Sequence, residues 1–153
     1  MDANARTSNQ NKEIIAGFKY GKWVLQESLA GYKKIRCECP FYGKVDAIAT
    51  LEIPKGANVV RPVSFDTYHS CSTISDKLRT DKVITKDISF DTHNPFRNWF
   101  MKFNCKCYSN HDSTFTYKVK ETQSTELNTD VSEECVKGIH FVTDKQSAED
   151  YIL

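Results

Sequence analysis

Apolar and polar residues alternate at a spacing of two through most of this chain. The apolar positions favour β-branched and aromatic side chains, which is the signature of half-buried strands. FKYGKWVLQE (Phe18 to Glu27) reads as the first strand. In YKKIRCEC, Ile35, Cys37 and Cys39 share one face while Lys34, Arg36 and Glu38 share the other. VDAIATLEI places Val45, Ala47, Ala49, Leu51 and Ile53 on one side. Pro54-Lys55-Gly56 ends that run, because proline lacks the ladder donor and glycine supplies turn geometry. KVITKDISF (Lys82 to Phe90) returns to a strand, and Asp91 to Arg97 breaks it, with a turn expected at Asn94-Pro95. NWFMKFNCKCY then alternates again, predicting a strand with Trp99, Met101, Phe103, Cys105 and Cys107 on one face. Ser109 to Asp112 reads as a hairpin loop into STFTYKVK, with Phe115, Tyr117 and Val119 inward.

Two stretches interrupt the pattern. Asn58 to Asp81 is crowded with Ser, Thr and Asp between Ser64 and Ser75, and predicts a long excursion with a short helical turn near Ile74 to Leu78. Glu121 to Glu134 is polar and reads as a surface loop. The closing segment, ECVKGIHFVTDKQSAEDY, predicts a short strand over Ile139 to Val142 and a helix opened by Thr143. Thr143 and Gln146 have capping-box spacing, and Ala148, Tyr151 and Ile152 give the helix a narrow apolar stripe. The fold class is therefore α+β: a β-rich single domain of six or seven mostly antiparallel strands with a short C-terminal helix. Residues 14–153 form that domain, and residues 1–13 form a polar, disordered N-terminal arm.

Composition narrows the function. Twenty-one Lys plus Arg against twenty Asp plus Glu leaves a formal net charge of +1, which lacks the footprint of a dedicated nucleic-acid binder. No apolar run approaches the roughly 20 residues that cross a bilayer, so no membrane partner is expected. The polar N-terminus lacks the apolar centre of a secretory signal. That places the chain in a reducing cytoplasm or its equivalent, where the six cysteines are expected as thiols. Nine Phe, seven Tyr and two Trp suffice to fill a core and still equip an interface. A homo-oligomer, in its simplest form a dimer, is expected, with no cofactor.

The candidate chemistry is modest. Cys37-x-Cys39 and Cys105-x-Cys107 could supply a four-thiolate zinc site. Spacing of two on a strand also puts each pair on one face, continuing an apolar surface, so buried thiols are the expected state and a metal or a disulfide the alternatives. Cys135 and His140, with Arg79, could form a nucleophile, a base and an anion holder. No third orienting group is evident, and a packed, fold-closing role is the simpler reading. Gly138 between them reads as a turn residue. His69-x-Cys71 lies in the long excursion and, like His93 and His111 in turns, reads as loop. Lys77, Arg79 and Lys82 make a small basic cluster that Asp76 and Asp81 partly neutralise. No phosphate-binding loop, dinucleotide glycine pattern, H-E-x-x-H or nucleophile elbow occurs.

LEIPKGANVVRP (Leu51 to Pro62), KLRTDKVITKDI (Lys77 to Ile88) and the closing segment together carry a resemblance. They are similar to a domain of unknown function associated with pentapeptide-repeat proteins of bacteriophages and large DNA viruses. The closing signature maps onto Cys135, Gly138, Ile139, His140, Phe141, Ala148 and Tyr151. The chain departs from that family at Leu78, where a cysteine before Arg79 is usual, and it carries no pentapeptide repeats. The resemblance implies a viral protein, accessory or associated with the particle, found in the virion or the host cytoplasm with a virion or host protein as a further partner, and it implies no reaction.

Overall fold

Every residue of β2 (Leu29–Cys39) faces a residue of β3 (Gly43–Ile53), from Leu29 opposite Ile53 to Cys39 opposite Gly43. This ladder is the spine of the protein. The computed structural model describes residues 21–62, 77–110, 112–130 and 137–150. In order, the remaining strands are β1 (Gly21–Val24), β4 (Asn58–Arg61), β5 (Leu78–Thr80), β6 (Lys82–Phe90), β7 (Lys106–Ser109), β8 (Asp112–Tyr117), β9 (Thr122–Ser124) and β10 (Ile139–Phe141). Two helices are described, α1 (Pro95–Asn104) and α2 (Lys145–Glu149). The larger sheet runs β8-β7-β2-β3-β6-β9 and the smaller β1-β4-β5-β10. All the registered strand pairs are antiparallel.

The α+β, β-rich class with a short C-terminal helix is thus what the chain adopts. The described strands number ten because the excursion and the polar loop each contribute short ones that alternation cannot reveal. The predicted helical turn at Ile74 to Leu78 lies mostly outside the described residues, and Leu78 itself opens β5. The expected arm over residues 1–13 also lies outside them.

The alternation of β2 and β3 decides the core. Leu29, Ile35, Cys37 and Cys39 point inward from β2, and Ala47, Ala49, Leu51 and Ile53 from β3. Val59, Leu78, Ile139 and Phe141 of the smaller sheet pack into the same cluster. Removing such side chains from water is the main favourable term in folding, at roughly 1.5–3 kcal/mol for each large one. The two sheets meet where Tyr32 and Val142 exchange backbone hydrogen bonds of 2.7 and 2.9 Å. Gly31 makes that junction possible. A Cβ there would lie 2.6 Å from the Phe141 ring and 2.9 Å from Ile53. On the opposite face, Ala148 of α2 packs with Ile48, Val142 and Tyr32.

Two elements depart from expectation. Residues 95–104 are helical rather than extended. The Asn94 side chain accepts from the Phe96 and Arg97 amides at 3.0 and 3.2 Å, and Pro95 takes the first helical position. An N-cap followed by proline starts a helix, which outweighs the two-residue alternation of Trp99, Met101 and Phe103. Met101 alone of these three is buried. The last helix also starts one residue late. Asp144, not Thr143, caps it, accepting from the Ser147 amide at 3.3 Å.

The cysteine expectation is corrected too. Cys37 is bonded to Cys107 and Cys39 to Cys105. Arg36 faces Tyr108, Cys37 faces Cys107 and Glu38 faces Lys106, so this register carries Cys39 to Cys105. The Cα separations are 4.0 and 4.3 Å, close to the roughly 4.5 Å of a non-hydrogen-bonded antiparallel pair. The four sulfurs do point the same way into the interior, but as two bridges and not as thiols. Sulfurs so paired offer no thiolate set for zinc.

The bridges are nested, with sequence separations of 70 and 66. Either one alone still closes nearly the same loop. Replacing both pairs with alanine is expected to lower unfolding stability in urea by about 4 kcal/mol, the order expected for a loop of this size. Replacing either pair alone is expected to cost well under half of that, because its neighbour remains. Equal, additive losses would contradict the nesting. Maleimide labelling of denatured protein should spare these four residues until a reductant is added.

Candidate functional site

Among the described residues, those singled out from sequence do not assemble into one site. Cys135, Cys71, His69 and His111 lie outside the described residues. His140 and Arg79 are directly opposed on β10 and β5, yet they serve different surroundings. Arg79 is 1% exposed. Its Nε donates to the Asn128 carbonyl at 2.8 Å and its Nη2 to the Asp130 carbonyl at 2.6 Å. A buried guanidinium holding loop carbonyls is structural cement, since its donors satisfy chain that no strand pairs. Gly138 fits over it: its φ is 147°, and a Cβ there would meet Leu127 at 2.8 Å and Arg79 at 3.2 Å. The basic cluster is also dispersed. Lys77 turns into a cleft and Lys82 is exposed, while Asp81 accepts from the Asn58 amide and side chain at 3.0 and 2.8 Å. His93 is exposed in the turn before α1.

His140 instead lines a half-open cleft at the junction of the two sheets. Tyr32, Lys33, Lys34, Lys77, Phe141 and Val142 share that lining. Lys33 is the unusual member. It lies in phase with Ile35, Cys37 and Cys39 on the inward face of β2 and is 9% exposed. Its Nζ donates to the His140 carbonyl at 2.9 Å, and no carboxylate among the described residues forms an ion pair with it. Burial first, and then the positive charge of Lys77, pull its pKa down from 10.5 to about 7. Desolvation penalises the charged form of an amine, and a second cation nearby adds to that penalty. The amine is therefore partly neutral where an ordinary lysine is fully protonated. The alternation in YKKIRCEC carried this signal, because the phase that buries Ile35 and Cys37 also buries Lys33.

A second surface stands out by its exposure. Phe96, Trp99 and Phe103 follow one side of α1 and are 69%, 56% and 57% exposed. Their rings form a ladder, with centroids 6.0 Å apart from Phe96 to Trp99 and again from Trp99 to Phe103. The Arg97 guanidinium lies 5.0 Å from the Tyr42 ring centroid, linking the helix to the tip of the β2–β3 hairpin. Phe41 at that tip is 95% exposed. The inner side of the helix is held by Met101, by Asn98, whose Oδ1 accepts from the Phe90 amide at 2.9 Å, and by a Lys102–Asp87 ion pair. Reading residues 98–108 as a strand hid this face, since it placed Trp99 and Phe103 inward.

Comparison with known proteins agrees with the viral resemblance. Residues 20–148 match a family of unknown function, DUF5758. An uncharacterized protein of Acanthamoeba polyphaga mimivirus is 33% identical over 148 residues, covering 87% of this chain and 89% of the relative. No solved structure matches the chain.

The Lys33 environment makes stability depend on pH. Between about pH 7 and 10 the unfolded chain binds a proton that the folded chain lacks, so this group's contribution to stability rises as pH rises through that window. The urea midpoint is expected to climb over that range in the wild type and to climb less in Lys33→Met. Parallel curves would contradict the assignment.

Proposed function

Because the chain belongs to DUF5758, a family of unknown function, we propose its role from its own surface: a viral accessory or virion-associated module that acts non-enzymatically, by binding a second copy of itself. The reading extends to a setting beside pentapeptide-repeat proteins of large DNA viruses. The carrying observation is the aromatic face of α1 and the hairpin tip. Five exposed rings, Phe41, Tyr42, Phe96, Trp99 and Phe103, offer on the order of 600 Å² at roughly 200 Å² for a whole aromatic side chain. Stable interfaces bury roughly 800 Å² per partner, so the rings supply most of one half and the flanking residues can supply the rest. A patch of that size stands at the upper end of what monomeric proteins leave in water, and such patches commonly mark interaction sites.

The formal charge of +1 supports a like partner, because two copies approach without appreciable repulsion. Trp, Phe and Arg are also the residue types that anchor interfaces. The two disulfides favour the virion over the host cytoplasm, since such bonds persist at oxidising sites that include virion surfaces.

Sedimentation at micromolar concentration is expected to show a dimer for the wild type and a monomer for a Trp99→Ala, Phe103→Ser double variant. Circular dichroism should be unchanged, because both side chains are exposed. A wild-type monomer would overturn the reading, and a monomer that floats with lipid vesicles would reassign the face to a membrane.

A further inference from the structure

We propose that the cleft at the sheet junction binds a small carbonyl compound bearing a carboxylate, such as a short oxo acid, as an imine on Lys33. Four features of the cleft converge on that chemistry. The Lys33 amine is set on the inward face of a strand and held in place by one hydrogen bond to the His140 carbonyl. Its neighbours in the cleft include the further cations Lys34 and Lys77, which suit an anionic group. Phe141, Val142 and Ala148 supply an apolar wall that keeps water from competing. The cleft encloses about 30 Å³, on the order of two or three water-sized groups. That space takes the carbonyl carbon and its substituent, and the open side of the cleft takes the carboxylate.

A lysine desolvated beside another cation is the arrangement that makes an amine nucleophilic near neutral pH. The nitrogen lone pair adds to the carbonyl carbon, and a proton passes from nitrogen to the former carbonyl oxygen. The carbinolamine then expels hydroxide, which takes a proton from solvent to leave as water, as the C=N bond forms and the nitrogen keeps its remaining proton. No oxidant or reductant is consumed, and the step is reversible. The protonated imine keeps one N–H, which can still donate to the His140 carbonyl. Lys77, on the lining of the same cleft, attracts the carboxylate. The Lys34 Nζ is itself anchored by donation to the Glu149 carbonyl at 3.1 Å, tying α2 to the cleft wall. This inference is independent of self-association through the aromatic face, which involves other residues.

The test uses the full chain with glyoxylate as probe and cyanoborohydride as trapping reductant at neutral pH. Each imine is fixed as N-carboxymethyl-lysine and read lysine by lysine in peptide maps. Lys33 is expected to be modified at least ~10-fold faster than the exposed Lys55 and Lys118, as its larger neutral fraction requires. Formaldehyde, which lacks the carboxylate, serves as the second probe. Lys77→Ala is expected to lower the glyoxylate-to-formaldehyde rate ratio at Lys33 several-fold while the far-ultraviolet spectrum stays the same. Modification of Lys33 no faster than of Lys55 would overturn the site. A ratio unmoved by Lys77→Ala in folded protein would overturn the carboxylate-bearing ligand class.

Discussion

The uninterrupted register between β2 and β3 is the constraint on which the other features depend. A slip of one residue would move every side chain of β2 to the opposite face. Leu29, Ile35, Cys37 and Cys39 would leave the core, and Lys34, Arg36 and Glu38 would enter it. The same register brings Cys37 and Cys39 to β7 in line with Cys107 and Cys105, and aims Lys33 at the sheet junction. Apolar burial fixes the register, and the disulfides and the buried amine inherit it.

The parts of this architecture that were legible in the sequence are those whose neighbours are close along the chain. The runs Val45 to Ile53 and Lys82 to Phe90 fold as strands because alternation, bounded by turn residues, leaves one consistent arrangement. Residues 98–104 show why period alone can mislead. Trp99, Met101 and Phe103 satisfy a spacing of two, while Phe96, Trp99, Phe100 and Phe103 satisfy three and four. Only Asn94 and Pro95 arbitrate, and they do so as a cap. Cys37 and Cys39 were legible as residues of one face but not as bridge halves. Their partners depend on the pairing of β2 with β7, a tertiary fact that no local spacing encodes. Thr143 and Asp144 are adjacent acceptors of similar capping strength, so a one-residue shift lay beyond what sequence can fix.

The candidate sites divide in the same way. Arg79 was drawn out as a charged residue near His140, and it is near, but burial commits it to the carbonyls of Asn128 and Asp130. His140 contributes its backbone carbonyl, a role that residue type cannot announce. The two surfaces with chemical character are therefore ones that the charge and thiol motifs did not mark. One is an amine forced into an apolar face, and the other a row of rings turned toward water.

Cys105 has a place in both parts of the structure. It caps the C-terminus of α1 through its amide, donating to the Met101 carbonyl at 3.0 Å, and its sulfur is bonded to Cys39 of the central ladder. The helix bearing Phe96, Trp99 and Phe103 is thus moored covalently to the end of β2, the strand paired along its whole length with β3. A surface held that way loses little orientational freedom when something docks, so more of the contact energy of its rings is left to express as affinity.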